Sequence, residues 1–172
     1  METIAIIAQK GGTGKTTTAH ALASGLSRRG ARVLLIDADP QGNLTFAMKA
    51  ATARANLYSV LIGDTTAQEA IQQQGNIAFI TASPLLATID LILTEGGKEH
   101  RLKTALNGIA GQFDYCVIDT PPALGIIVTN ALTASNRAII TAQADIFSLQ
   151  GIGALLPICL LYTSPSPRDR TR

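Results

Sequence analysis

The hydrophobic positions of the chain fall into short continuous runs, separated by longer stretches in which apolar residues recur every three or four positions. Runs without polar alternation are typical of parallel strands that are covered on both faces. We therefore predict strands over residues 4–7, 33–36, 77–80, 115–118 and 138–141.

The stretches between these runs predict helices. Ala19, Leu22, Ala23 and Leu26 form an i, i+3, i+4, i+7 stripe, and Gly30 provides a stop for that helix. Further helices are predicted around residues 89–93, 102–109 and 125–134 and after Phe147. Residues 44–75 are expected to be helical in pieces, and a capping box over 66–69 predicts the start of one of these pieces. Alternating strands and helices indicate an α/β fold with a doubly wound, mainly parallel sheet.

Composition narrows the class of protein. A length of 172 residues suits one domain with a sizeable core, and 4% aromatic residues argue against an aromatic nucleic-acid platform. The two cysteines cannot form a disulfide framework, and no apolar run reaches the roughly 20 residues of a membrane span. We therefore expect a cytoplasmic protein and no membrane partner.

The last fourteen residues differ in composition from the rest of the chain. Residues 159–169 match the translation of a transposase-type sequencing adapter, and the arginines at 168, 170 and 172 with Asp169 account for the whole net charge of +2. We expect residues 1–158 to be the N-terminal portion of one domain and residues 159–172 to be a disordered, non-native tail. The alternative is a genuine Ser/Pro/Arg tail.

Residues 8–17, with the sequence A-Q-K-G-G-T-G-K-T-T, join the first predicted strand to the first predicted helix. Glycines allow backbone N–H groups to close around phosphate oxygens, a lysine adds positive charge, and a threonine hydroxyl can bind Mg²⁺. The sequence therefore predicts a P-loop that binds the phosphates of a nucleotide. Its predicted binding residues are Gly11, Gly12, Thr13, Gly14, Lys15, Thr16 and Thr17.

Acidic residues follow two other predicted strands. Asp37 and Asp39 come after the second strand, and Asp119 follows the strand over 115–118. Ligands of open α/β sheets bind beyond the carboxyl ends of the strands, where these residues would meet the P-loop. The three acidic residues and the loop together predict a nucleotide and metal site.

These motifs resemble those of the ParA/MinD family of P-loop ATPases. Lys10 before the glycine pair is similar to the family's deviant Walker A loop, residues 34–43 resemble its second signature, and residues 113–122 resemble its Walker B strand. The resemblance covers about residues 3–157 and includes Asn130-Ala131-Leu132, Gln143 and Leu149-Gln150-Gly151. Ala8 and His20 stand where the family commonly has Asn.

The resemblance implies a role for each motif. Lys15 and the amides of residues 11–17 would hold the phosphates, with Thr17 at the α-phosphate, and Thr16 would bind Mg²⁺ with support from Asp119. Asp39 would position the attacking water, and Asp37 would be a carboxylate that either lies on the metal side or supports the residues around it. Lys10 would act on the phosphates of a partner subunit, so Lys10, Lys15 and Asp39 are the expected catalytic residues.

At the level of the whole protein, the resemblance implies slow ATP hydrolysis that drives a dimerisation switch in plasmid or chromosome partition. The expected partners are a second copy of the chain, a ParB-type centromere-binding protein, and non-specific DNA at a C-terminal surface that this chain lacks. The protein would then be cytoplasmic and nucleoid-associated. The segment over residues 39–43 favours this branch.

Two alternatives stay open. The first is a MinD-like ATPase that cycles on membranes and positions division, which would carry a C-terminal amphipathic helix. The second is a nucleotide-binding switch or fragment without turnover.

The origin of residues 159–172 is tested by amplifying the source DNA and sequencing across the 3′ end of the reading frame. We expect the frame to continue past Ile158 for roughly another hundred residues, an estimate from domain size. A stop codon directly after Arg172 would show instead that the tail is encoded.

Overall fold

The computed structural model of the protein describes residues 1–51 and 53–163. Its strands are β1 (Glu2–Ile7), β2 (Val33–Asp37), β3 (Gln72–Gln74), β4 (Ile77–Ile80), β5 (Tyr115–Asp119) and β6 (Arg137–Ile140). Its helices are α1 (Lys15–Arg28), α2 (Asn43–Ala47), α3 (Leu57–Ile62), α4 (Ala67–Ala70), α5 (Ile89–Ile92), α6 (Arg101–Asn107), α7 (Ile126–Ala134) and α8 (Ile146–Thr163). Short 3-10 turns lie at Pro84–Thr88, Lys98–His100 and Ala110–Gln112.

The six strands form one sheet in the order β3-β4-β2-β5-β1-β6. β4, β2, β5, β1 and β6 pair in parallel, and β3 pairs with β4 in antiparallel fashion. The predicted doubly wound, mainly parallel sheet is confirmed. β5 lies between β1 and β2, so the chain leaves these three strands at the same edge.

Helices cover both faces of the sheet because the strands are apolar on both sides. One layer contains α1 and α2, whose buried Ala19, Ala23 and Leu44 pack against Ile6 and Leu35. The other layer contains α3, α6, α7 and α8, which pack against the alternate strand positions. Its buried residues include Leu57, Leu61, Leu102, Leu106, Leu132 and Leu155, with Ile7, Leu34, Ile36 and Ile118 from the strands.

Local signals set the element boundaries as predicted in two places. Thr66 accepts a hydrogen bond from the backbone of Glu69, whose carboxylate accepts one from the backbone of Thr66, so the predicted capping box starts α4. Gly30 follows α1 with φ +87°, a left-handed conformation that glycine adopts without a steric penalty.

β3 was not predicted, because residues 72–74 were assigned to the segment expected to be helical in pieces. The strand consists of three glutamines and has no apolar periodicity. It forms because the turn at Gly75, with φ +59°, folds the segment back onto β4.

The chain end also differs from the prediction. α8 continues through Thr163, and Cys159 is 7% exposed within the core cluster that contains Leu155. The predicted disorder is therefore wrong for residues 159–163, where a small apolar side chain fits the helix–sheet packing. Residues 164–172, including Arg168, Asp169, Arg170 and Arg172, lie outside the described residues, and the adapter origin stays a prediction.

Asn130 joins α7 to the start of α6 through hydrogen bonds that satisfy three buried or partly buried backbone groups. Its Oδ1 accepts from the Leu102 N–H at 3.0 Å, and its Nδ2 donates to the carbonyls of Lys98 at 2.8 Å and Ile126 at 2.9 Å. The residue is 1% exposed. A buried amide with these partners fixes the relative position of the two helices.

We expect Asn130→Ala to lower the free energy of unfolding by about 2–4 kcal/mol, because the buried Leu102 N–H loses its acceptor and a cavity is left. Urea unfolding followed by circular dichroism measures the change. Asn107→Ala, at an exposed position of α6, is the control and should change stability by less than about 0.5 kcal/mol. Equal effects of the two substitutions would contradict this role for Asn130.

Candidate functional site

The loop between β1 and α1 has the backbone conformation of an anion-binding loop. Gly12 and Gly14 have φ +76° and +86°, values that disfavour any residue with a Cβ. Gly14 is the N-cap of α1 and makes no side-chain capping hydrogen bond to the helix. The N–H groups of the first turn are therefore left for a ligand, at the positive end of a fourteen-residue helix.

A cleft of about 470 Å³ opens above this loop. It is lined by Gly11, Gly12, Gly14, Lys15, Thr16, Thr17, Asp39, Gln41, Asn43 and Pro122. Lys15 is only 7% exposed, and in the described part of the chain no carboxylate lies within 4.0 Å of its ammonium group. A buried cation without a close counter-ion favours binding of an anion such as phosphate.

Asp119 ends β5 beside this loop. The parallel register places it next to Ile6 of β1 and Asp37 of β2. It is 1% exposed, and neither of its carboxylate oxygens has a hydrogen-bond partner of ordinary geometry among the described residues. An unpartnered buried carboxylate fits a site that binds a divalent cation.

Burial raises the pKa of Asp119 to about 7. The nearby Thr16 hydroxyl lowers this pKa, although it makes no hydrogen bond of ordinary geometry to the carboxylate. The negative charges of Asp37 and Asp39 raise the pKa, and the positive charge of Lys15 lowers it. The carboxyl is thus destabilised as an anion, and a bound cation would reverse that effect.

Asp37 is fully buried and has its carboxylate oxygens occupied. Oδ1 accepts the Asp39 N–H at 3.1 Å, and Oδ2 accepts the backbone N–H of Thr45 at 2.7 Å and its hydroxyl at 2.8 Å. Burial raises the pKa of Asp37, and the hydrogen bonds from Thr45 and Asp39 act in the opposite direction. These contacts make Asp37 the anchor of the turn that follows β2.

Asp39 lies on that turn and faces the cleft. Its Oδ1 accepts the Gln41 N–H at 2.9 Å, and its carbonyl accepts the Gly42 N–H at 2.9 Å. The turn therefore holds the Asp39 carboxylate at the wall of the cleft, which Lys15 and the glycine loop also line.

Polar residues that follow β6 hold the glycine loop from the other side. The hydroxyls of Thr13 and Thr141 are 2.9 Å apart, and Gln143 Nε2 donates to the Gly12 carbonyl at 3.3 Å. The Thr13 side chain therefore points away from the cleft and leaves its backbone for a ligand.

Lys10 lies outside the cleft lining. Its ammonium group pairs with Asp145 Oδ2 at 3.1 Å, and the two side chains are 50% and 33% exposed. Lys10 also lines a separate small cavity with Gln9, Thr13 and Gly151. In this geometry Lys10 does not contribute to the cleft of its own chain.

The structure thus brings together most of the predicted site. Gly11, Gly12, Gly14, Lys15, Thr16, Thr17 and Asp39 line the cleft, and Asp119 lies behind Thr16. Thr45 and Thr141 were not predicted. Thr141 follows β6, so the strand-end argument applied to Asp119 would have found it, whereas Thr45 lies within α2 and has no such signal.

The residues fit a magnesium ion that is bound together with a phosphate ligand. Among residues 1–51 and 53–163, no group of three His, Cys, Asp or Glu side chains is arranged to hold a metal alone. Mg²⁺ usually takes one or two protein ligands, with water and substrate phosphates completing its shell. Thr16 and Asp119 supply such a pair.

None of the helices in the described residues has both the length and the apolar character required to cross a membrane.

We expect Asp119→Asn to change the pH dependence of stability. Because the pKa of Asp119 is raised in the folded state, its contribution is fully present below the unfolded pKa near 4 and is lost as the pH rises towards 7. Without nucleotide and magnesium, the melting temperature of the wild type should therefore fall more steeply from pH 4.5 to 7.5 than that of the variant.

Thermal unfolding in EDTA across this pH range measures both slopes. Asp37 titrates in the same direction and remains in the variant, so a residual slope is expected. Parallel slopes for the two proteins would contradict the assignment to Asp119.

Comparison with known proteins shows which family the chain belongs to. A family model described as an AAA domain matches residues 1–163. The sporulation initiation inhibitor protein Soj of Bacillus subtilis is 40% identical over 158 residues, which make up 89% of this chain and 62% of Soj. The chromosome partitioning protein ParA of Myxococcus xanthus is 36% identical over 88% of this chain and 56% of its own length.

A third relative is the cell division protein PomZ of Myxococcus xanthus, which is 35% identical over 85% of this chain and 47% of its own length. The chain therefore spans 47–62% of the length of these three relatives.

Solved structures give the same result. Cobyrinic acid a,c-diamide synthase from Mycobacterium smegmatis, with bound ATP analog and magnesium, superposes with a TM-score of 0.87 at 34% identity and covers 92% of this chain and 67% of its own. A putative plasmid partition protein from Borrelia burgdorferi, bound to AMPPNP, gives 0.85 at 30% identity, with coverage of 93% and 70%. The family predicted from the motifs is confirmed: the chain belongs to the AAA domain family and is similar to the ParA and Soj proteins.

Proposed function

We propose that this protein binds ATP with Mg²⁺ in the cleft above the glycine loop. The observation that carries the proposal is that two buried charged residues lie at this loop without close partners in the part of the chain that the structure describes. Lys15 has no carboxylate within 4.0 Å, and the Asp119 oxygens have no hydrogen-bond partner of ordinary geometry. The ATP analog and magnesium in the Mycobacterium smegmatis structure, and the AMPPNP in the Borrelia burgdorferi structure, support this choice of ligand.

In this proposal Lys15 and the amides of residues 11–17 hold the phosphates, and Thr17 contacts the α-phosphate. Thr16 and Asp119 hold the magnesium ion, which neutralises phosphate charge when it is bound. Asp37, whose oxygens accept hydrogen bonds from Thr45 and Asp39, acts on the metal side only through the turn that it anchors.

We further propose that the protein hydrolyses ATP slowly and that Asp39 positions the attacking water. Asp39 lies on the cleft wall, and its carboxylate is held there by the Gln41 N–H. A carboxylate in that place can accept a proton from water as the water approaches the phosphate.

We propose that Lys10 acts on the phosphates bound by a second subunit. Its side chain is half exposed and lies outside its own cleft, so it is accessible to another copy of the chain. A lysine supplied in trans would neutralise charge on the phosphates of the partner and would make assembly depend on bound ATP.

At the level of the cell, the proposed function is plasmid or chromosome partition. The names of the Soj and ParA relatives support it, and the proposal extends to a ParB-type partner, non-specific DNA and a nucleoid location in the cytoplasm. Because the chain spans only part of these relatives, the DNA-binding surface is proposed for residues beyond this sequence.

Positioning of cell division is the second candidate, and the similarity to PomZ favours it. A MinD-like membrane cycle is one form of this candidate. Binding to lipid vesicles in the presence of ATP would distinguish it from partition, in which ATP-dependent binding to DNA is expected.

The Asp39→Ala variant tests the catalytic proposal. We expect ATP binding to stay within about threefold of wild type and turnover to fall by about 10²-fold, since a group that acts only in the transition state is lost. Fluorescent-nucleotide titration, phosphate release and sedimentation with ATP measure binding, turnover and dimer formation, and the variant should accumulate as the ATP-bound dimer.

Asp64→Ala is the matched control, because Asp64 is an exposed aspartate after α3, away from the cleft. It should leave binding and turnover unchanged. Unchanged turnover in Asp39→Ala would overturn the role of Asp39, and absence of ATP binding in the wild type would overturn the proposed function itself.

A further inference from the structure

Thr45, in the short helix α2, makes contacts that no sequence motif indicated. Its backbone N–H and its hydroxyl both donate to Asp37 Oδ2, at 2.7 and 2.8 Å. The same hydroxyl oxygen accepts the Ala82 N–H at 3.0 Å. One side chain thus joins the end of β2 to the segment that follows β4.

We propose that Thr45 is a positioning residue for the Asp39 carboxylate and acts through Asp37. The proposal rests on the function given above, because Asp39 is the group that it positions. Thr45 itself does not line the cleft.

The hydrogen-bond inventory of the hydroxyl supports this role. A threonine hydroxyl has one proton and accepts through its oxygen, and here the proton goes to Asp37 while the oxygen takes the Ala82 N–H. Its rotation is therefore fixed from both sides. An ionised Asp37 can only accept, so the donor and acceptor roles in this chain of contacts are determined.

Asp37 connects Thr45 to the turn after β2 that carries Asp39. Its Oδ2 is held by Thr45, and its Oδ1 holds the Asp39 N–H at 3.1 Å. The turn then continues through Gln41 and Asn43, which line the cleft, into the helix that carries Thr45. The turn is thereby closed into a ring of contacts in which movement of Thr45 displaces Asp39.

The contact with Ala82 extends the ring to the neighbouring strand. Ala82 is 6% exposed and lies between β4 and the 3-10 turn Pro84–Thr88, whose first residues are capped by Ser83. Thr45 therefore links this segment to the turn that holds Asp39, so a shift of the segment would move the turn.

Thr45→Val and Thr45→Ser separate positioning from packing. Valine keeps the shape and the backbone N–H but removes the hydroxyl, whereas serine keeps the hydroxyl. Amide hydrogen exchange of the ¹⁵N-labelled chain without nucleotide measures the Ala82 and Asp39 N–H groups separately. We expect both to exchange at least about tenfold faster in the valine variant and to be close to wild type in the serine variant.

Turnover provides the second readout. In Thr45→Val we expect kcat to fall by about tenfold or more while KM for ATP changes by less than about threefold, and Thr45→Ser should restore kcat. Ser59→Ala is the stability-matched control, because it removes the buried hydroxyl of the α3 capping box and lies outside the cleft. It should lower the melting temperature without this change in kcat.

The outcomes separate the proposal from the proposed function. Faster exchange at Ala82 alone, with Asp39 and kcat unchanged, would make Thr45 a purely structural residue and overturn the inference. A wild type that hydrolyses no ATP would refute the proposed turnover, and the Asp39 exchange rates would still decide whether Thr45 holds the turn.

Discussion

β5 pairs in parallel with β1 on one side and with β2 on the other, and the chain therefore leaves all three strands at one edge of the sheet. The glycine loop, the Asp39 turn and Asp119 meet there because of this pairing, although more than a hundred residues separate the first from the last. The surrounding helices bury the strands on both faces, which fixes the register and hence the relative heights of Ile6, Asp37 and Asp119.

The same burial places charges where they are costly. Lys15 and Asp119 lie in the protein interior, and the raised pKa of Asp119 shows that the fold alone stabilises its anion poorly. The free-energy cost of burying such a charge is offset when a ligand of opposite charge binds to the folded protein. Asp37 differs from Asp119, because both of its carboxylate oxygens accept hydrogen bonds from the protein. It therefore serves as a structural anchor.

The sequence predicted those parts of the fold that depend on apolar runs and on local capping. Strands β1, β2, β4, β5 and β6 were found because their burial on both faces leaves continuous apolar segments, whereas β3 was missed because an edge strand of glutamines has no hydrophobic pattern. The continuation of α8 beyond Ile158 was missed because the composition there suggested disorder, whereas Cys159 packs in the core cluster.

The candidate site likewise contains residues that the sequence predicted and residues that it did not. The residues proposed to contact phosphate could be predicted from motif spacing, since the backbone geometry of the loop is local. Thr45 could not be found from local geometry, because its hydroxyl joins Asp37 to Ala82, and Ala82 is brought near by the tertiary fold. Thr141 could have been found as a candidate because it follows β6, but its contact with Thr13 depends on the tertiary fold.

The ion pair between Lys10 and Asp145 would affect the proposed assembly of two subunits. To act on a second subunit as proposed, Lys10 would have to exchange the Asp145 carboxylate for the phosphates of another chain, so this ion pair would oppose formation of the proposed dimer. An exposed pair of this kind contributes roughly 0–1 kcal/mol. Breaking this pair would therefore weaken the proposed dimer by about fivefold at most per lysine. Since salt screens the exposed pair more than a buried contact, ionic strength adjusts how readily the lysine is released.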